Sequence, residues 1–179
     1  MVIHMMADAR YEEDTPDLEL IVRDYGSSIV KYCYNLLWDY HEAQDAAQEV
    51  FLTAAAKIGS LRERQSLTGW LYRVAHNVCM DMLRRRKRAG LFLQREASRN
   101  SADVHVDNYD FGISWELRAA LNTLSPTDRA LVYNRAVDEM EYAELEEIYG
   151  MKSAALRKRY ERARKKLEAE LKKEESDCE

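Results

Sequence analysis

Apolar residues recur every three or four positions from about residue 17 onward, a spacing that predicts consecutive amphipathic helices. Leu18, Ile21, Val22, Tyr25, Ile29, Tyr32, Cys33, Leu36 and Leu37 form the first stripe, which Gly26-Ser27-Ser28 is expected to loosen near its middle. Trp38-Asp39-Tyr40-His41 reads as a turn. The next helix buries Ala43, Ala46, Val50, Ala54 and part of Phe51, and Gly59 and Ser60 end it. Beyond the polar loop 62–66, Thr68 stands where an N-cap belongs, ahead of a helix through Trp70, Leu71, Val74, Ala75, Val78, Cys79, Met82 and Leu83.

The period lapses over 89–113, where Gly90, Ser98, Asn100, Ser101, Asp103, Asp107, Asn108 and Gly112 interrupt it. A connection of this length is unusual inside one compact domain, so a flexible linker and a domain boundary are expected there. Periodicity resumes near Ser114 with Trp115, Leu117, Ala120, Leu121 and Leu124. Ser125 as N-cap, Pro126 at the first helical position and Asp128 in the first turn then start a further helix. Two helices follow, separated by Gly150-Met151-Lys152. The reading is an all-α chain of two small helical domains, 17–88 and 114–171, flanked by an acidic segment 1–16 and a charged tail 172–179, both expected to be disordered.

Composition supports this reading. Six glycines and two prolines in 179 residues leave few helix breakers. No run approaches the roughly 18 apolar residues of a membrane span. The N-terminus also lacks the layout of a signal peptide, so a cytoplasmic protein without membrane insertion is expected. Cys33, Cys79 and Cys178 are far apart in sequence and read as isolated reduced thiols, with no metal site and no cofactor implied. No HExxH, P-loop, GxSxG or dinucleotide fingerprint is present, which argues against an enzyme.

Charge changes the picture more. The chain carries a net −5, yet it is unevenly spread. Residues 1–24 hold seven acids against Arg10 and Arg23. Residues 83–99 hold seven Lys/Arg against Glu96, and 152–173 hold ten against Glu161, Glu168 and Glu170. Two basic blocks in an acidic protein suit phosphate contacts at two places, with acidic surface left for protein partners.

The second basic block has a recognisable design. Tyr142, Leu145, Ile148 and Tyr149 form a short buried stripe, and Gly150 supplies a left-handed turn position. Leu156, Tyr160, Ala163 and Leu167 then repeat at four, three and four, leaving Arg157, Lys158, Glu161, Arg162 and Lys165 outward. This is the spacing of a helix-turn-helix whose second helix enters a major groove; a helical hairpin with a solvated cationic face satisfies the same spacing. In the first block, Arg73, His76, Asn77, Met80, Asp81 and Arg84 share a helix at spacings of three and four. Its polar members suit unpaired bases, the 60–66 loop suits a flipped base, and the arginines at 84–88 suit backbone; a polar helix face turned to solvent satisfies the same spacing.

Taken together, these segments resemble bacterial RNA polymerase sigma factors of the sigma-70 superfamily, specifically the small extracytoplasmic-function (ECF) type. The residues Glu42-Ala43-Gln44-Asp45-Ala46-Ala47-Gln48-Glu49-Val50-Phe51-Leu52 are similar to its region 2.2. Trp70 to Asn77 and Asp81 to Arg88 are similar to regions 2.3 and 2.4, and Leu124-Ser125-Pro126 with Gly150 to Leu167 resemble region 4. The resemblance implies that Asp45, Gln48, Glu49 and Leu52 dock on the clamp coiled coil of the polymerase largest subunit. It implies that Arg62, Gln65, Ser66, Arg73, His76, Asn77, Arg84 and Arg85 meet the −10 element. Ser153, Ala154, Arg157, Lys158, Arg159, Arg162 and Lys165 would meet the −35 duplex. Core polymerase (clamp and flap), promoter DNA and an anti-sigma factor are the implied partners. Trp70 is read as core. The chain departs from the family pattern at Glu141, Glu146, Lys152 and Ala155, where Ser, Ala, Ser and Thr are common, and more mildly at Ala47 and His76; Ser153 is expected to take over the cap. The competing reading is a helix-turn-helix regulator that binds duplex DNA without polymerase.

Overall fold

The computed structural model describes residues 18–57, 66–96 and 113–177, without the side chains of 91–96 and 174–177. Among these residues seven helices are present: α1 (Leu18–Leu37), α2 (Tyr40–Lys57), α3 (Leu67–Glu96), α4 (Trp115–Asn122), α5 (Pro126–Ala136), α6 (Tyr142–Tyr149) and α7 (Ser153–Asp177). All the described secondary structure is helical, in agreement with the all-α reading.

Helix ends follow local chemistry. Asp39 Oδ1 accepts from the Glu42 amide at 2.9 Å and starts α2, while Trp38 makes the turn in a left-handed conformation (φ 57°). Ser114 and Ser125 accept from the amides of Leu117 and Asp128, as N-caps do, and Pro126 opens α5. Gly150 closes α6 at φ 64°, where a side chain would be strained.

Four expectations change. Gly26-Ser27-Ser28 lies inside an uninterrupted α1, because packing of the flanking Tyr25 and Ile29 outweighs a local propensity deficit of about 1 kcal/mol. Ser66, not Thr68, caps α3: its Oγ accepts from the Gly69 amide at 2.9 Å, whereas Thr68 is buried and bonded to Tyr25 Oη at 2.9 Å. Helix α3 continues to Glu96, eight residues into the stretch read as linker, and α7 continues to Asp177, past residue 171. Cys33 and Cys79, distant in sequence, are both buried, and their thiols are hydrogen-bonded to each other, which together with burial pushes the Cys33 thiol up. Residues 1–17, the loop 58–65, the linker portion 97–112 and Cys178 lie outside the described residues.

Helices α1, α2 and α3 pack as one bundle, with Ile21, Tyr25, Ile29, Tyr32, Leu36, Val50, Leu71 and Tyr72 at its centre. Helices α4, α5 and α6 gather around α7. The two sets share one core: Leu131, Met140, Leu145, Ile148 and Leu156 continue the apolar interior of the first bundle, through contacts of α1 with α5 and α3 with α6.

Candidate nucleic-acid and polymerase interface

Helix α2 is amphipathic by construction. Ala43, Ala46, Ala47, Val50 and Ala54 face the bundle, small enough to bring α2 close to α1. The period that buries them turns Asp45, Gln48, Glu49 and Leu52 outward, and all four are exposed. Leu52 is 66% exposed. The two carboxylates form an exposed acidic face complementary to a cationic partner, with Leu52 at its edge.

On α3 the predicted −10 residues divide. Arg73, Asn77, Arg84 and Arg85 are all exposed, the first three along one side of the helix. Arg84 is paired with Asp81 at 2.6 Å, an exposed contact of small energetic weight. Ser66 is occupied as the N-cap, and Arg62 and Gln65 lie outside the described residues. His76 turns inward. It is 8% exposed, its Nδ1 is 3.0 Å from Tyr32 Oη, and its ring meets that of Tyr149 edge-on at 5.0 Å. The reason is geometric: α3 is covered by α1 on one side and α6 on the other, so its buried face is wider than its apolar stripe. In the sequence, His76 borders that stripe between Ala75 and Cys79, and the second covering helix is not visible there.

The basic face of α7 comes together as expected from spacing. Ala154, Arg157, Lys158, Arg162 and Lys165 are exposed, and Leu156 and Ala163 are buried with Tyr160 and Leu167 partly so. The Arg157 guanidinium rests 5.1 Å from the centre of the Tyr142 ring, which aims it along the outer face. Arg159 belongs to the scaffold instead: its Nε donates to Asp128 Oδ1 at 2.5 Å and its Nη2 to Ser125 Oγ at 3.5 Å, tying α7 to the start of α5. Ser153, which is half-buried, is likewise occupied within the fold. Its amide donates to Glu146 Oε1 at 2.7 Å and its hydroxyl donates to the same oxygen. The backbone carbonyl of Lys152 accepts the first helical bonds, from Ala155 and Leu156, so Ser153 is the first helical residue rather than the cap.

The C-terminus of α1 is a junction that sequence reading missed. Its last carbonyls lie under three guanidinium groups from three other helices. Arg129 of α5 donates to Leu36 O at 2.6 Å, Arg86 of α3 to Leu37 O at 3.3 Å, and Arg118 of α4 to Trp38 O at 3.0 Å. Arg118 and Arg129 also lie 4.9 and 5.2 Å from the Trp38 ring centre. Arg129 is 5% exposed, and burial, followed by the nearby Arg118, pushes its pKa down to about 10. Cations at a helix C-terminus complement its dipole and its unpaired carbonyls. No helical periodicity marks them in advance.

Two titrating groups sit at the same seam with opposite signs. Burial lowers His76 to about 4, helped by Arg159 and Arg84. Burial raises Asp138 to about 7, opposed by Tyr72 and Lys31, with the Tyr133 and Tyr149 hydroxyls also nearby. The unfolded chain protonates His76 near 6.5, so its contribution to stability is lost as pH falls from there toward 4. The folded carboxyl of Asp138 keeps its proton to about 7 against 3.8 normally, so its contribution is lost as pH rises from about 4 to 7. The two offset each other, and urea melts of the wild type should be nearly level between those limits. Asp138→Asn removes one arm: stability should then fall by roughly 2 kcal/mol on acidification across the window. A level profile for that variant would contradict the assignment.

Known proteins share this arrangement. The description Sigma-70 region 2 matches residues 21–89, and Sigma-70, region 4 matches residues 114–167. The ECF RNA polymerase sigma factor SigE of Mycolicibacterium smegmatis is 29% identical over 166 residues, covering 90% of this chain and 64% of that protein. SigW of Bacillus subtilis, also an ECF RNA polymerase sigma factor, is 28% identical over 163 residues, covering 84% and 87%. The sigma factor RpoE of Bartonella quintana, solved in complex with the anti-sigma factor NepR, has the same fold at a TM-score of 0.70 and 22% identity, over 86% of this chain and 96% of that one. CnrH, solved with the cytosolic domain of CnrY, follows at a TM-score of 0.65 and 20% identity, over 96% of each chain. With a region 2 built on α1–α3 and a region 4 built on α4–α7, the chain belongs to the sigma-70 family.

Proposed function

We propose that this chain is a promoter-recognition subunit of RNA polymerase, a cytoplasmic ECF-type sigma factor that acts by binding rather than by catalysis. The observation that carries the reading is the exposed α2 face, where Asp45, Gln48, Glu49 and Leu52 stand clear of the fold on the same chain as a cationic recognition helix. The first face docks on the clamp coiled coil of the core enzyme, and region 4 meets the flap. Arg73, Asn77, Arg84 and Arg85, with Arg62 and Gln65 of the preceding loop, hold the melted −10 strand. Arg157, Lys158, Arg162 and Lys165, beside Ala154, hold the −35 duplex. His76, Arg159, Ser153 and Ser66 serve these surfaces by holding the helices that carry them. Two individually weak DNA contacts and one polymerase contact on a single chain add through tethering, which yields specificity without covalent chemistry. An anti-sigma factor is a further partner, as NepR is of RpoE in their complex.

Reconstituted transcription from a genomic library with core polymerase tests this: discrete start sites dependent on the chain are expected, and random initiation with an active core would refute it. The Arg157→Ala/Arg162→Ala variant should weaken duplex binding for all sequences alike and lower the salt slope by about 2, one per phosphate contact. An unchanged slope, measured by fluorescence anisotropy over a KCl series, would remove these residues from the interface.

A further inference from the structure

The start of the recognition helix is unusual in what already occupies it. The first amides of a helix lack partners within the helix and attract anions, and helix N-termini are among the groups that contact DNA phosphates. Here Glu146, projecting from α6, fills that position: its Oε1 accepts the Ser153 amide at 2.7 Å and the Ser153 hydroxyl as well. These bonds, Ser153's side chain before its backbone, hold the Glu146 carboxyl below the usual carboxylate range, with Lys152 adding to the effect, so it is charged at neutral pH. The same helix pair starts in a similar way, with Glu144 accepting from the Glu141 amide at 2.6 Å. Glutamates thus take the capping work at the starts of both α6 and α7.

We propose that Glu146 limits the duplex affinity of region 4: its carboxylate takes the amide and hydroxyl at the start of α7 and keeps a DNA phosphate from that position. The inference rests on the reading of α7 as the duplex-binding helix. Phosphate contacts then fall to Arg157, Lys158, Arg162 and Lys165, the nearest of which begins about 6 Å further along the helix axis. Base contacts from the first turn are limited to small groups, because Ala154 and Ala155 are exposed and the Ser153 hydroxyl is taken by Glu146.

The test is the full chain against a fluorescent duplex of random sequence, read by anisotropy from 50 to 300 mM KCl, with Glu146→Ala and Glu146→Gln compared to wild type. Both variants are expected to bind about three- to fivefold tighter at the lowest salt, the size of an anion effect at a helix end. Their salt dependence should steepen by about one ion released. Glu146→Gln keeps an acceptor for Ser153, so it decides the matter even if Glu146→Ala loosens the turn. Glu19→Gln, the same change in net charge on α1, should leave binding unaltered. Binding of Glu146→Gln that is no tighter than wild type, or a Glu19→Gln variant that gains as much, would overturn the proposal. Arg157→Ala/Arg162→Ala, run alongside, separates the two failures: if that variant also binds as wild type, it is the reading of α7 that fails.

Discussion

The Asp45→Lys/Glu49→Lys variant should lose about two orders of magnitude or more in affinity for core polymerase, because cations would then face a cationic partner where carboxylates did before. Its fold should be intact, since both side chains are exposed on the outer face of α2 and make no part of the core. Equilibrium binding to labelled core, together with a thermal melt, checks both statements. Leu52→Asp, placed in the same patch, should weaken binding by a smaller factor through loss of apolar contact. The result also separates a polymerase subunit from a regulator that binds DNA independently. For such a regulator the double reversal would be neutral or would slightly improve DNA binding. Wild-type affinity for core in a folded variant would therefore end the polymerase-docking reading.

Arg129→Ala is the second large effect, and it falls on stability. The side chain donates to Leu36 O and to Asn122 Oδ1 at 3.1 Å, and it lies against the Trp38 ring. Removing it leaves a buried carbonyl without its donor and deletes a desolvated cation–π contact, while relieving the cost of burying the charge. The balance is a loss of about 3 kcal/mol. For a chain of this size, that lowers the melting temperature by roughly 6–12 °C. Arg129→Lys should recover only part of the loss, because a single ammonium cannot span carbonyl, amide and ring in one plane. A melting temperature within a degree or two of wild type would show that the junction contributes little.

The helices were largely legible in the sequence, because α1, α2 and α7 each bury one stripe and the stripe is a local pattern. Ala43, Ala46, Val50 and Ala54 show where α2 faces, and with them the exposure of Asp45, Gln48 and Glu49. What escaped was decided between distant segments. His76 reads as a polar residue on a DNA-facing line until α6 is laid over α3. Cys33 and Cys79 read as isolated until α1 and α3 meet. Arg159 counts as one more cation in a basic run until Asp128, thirty-one residues earlier, takes it. Glu146 reads in the sequence only as a departure from the family pattern, whereas the structure has it accept from the Ser153 amide and hydroxyl at the start of α7. Short-range spacing shows which way a side chain leaves its helix, but the partner it meets there depends on tertiary packing.

The junction at the end of α1 has a consequence for how this protein can vary. Its acceptors are the main-chain carbonyls of Leu36, Leu37 and Trp38, and a main-chain carbonyl is the one group that substitution cannot delete. Changes in α1 can reshape the Trp38 platform but leave the acceptors in place. The polar part of the link between the two helical sets, beside their shared apolar core, is therefore adjustable from one side, through positions 118 and 129. A lineage could tighten or slacken this junction by altering two arginines, while the α1–α3 bundle stays as it is.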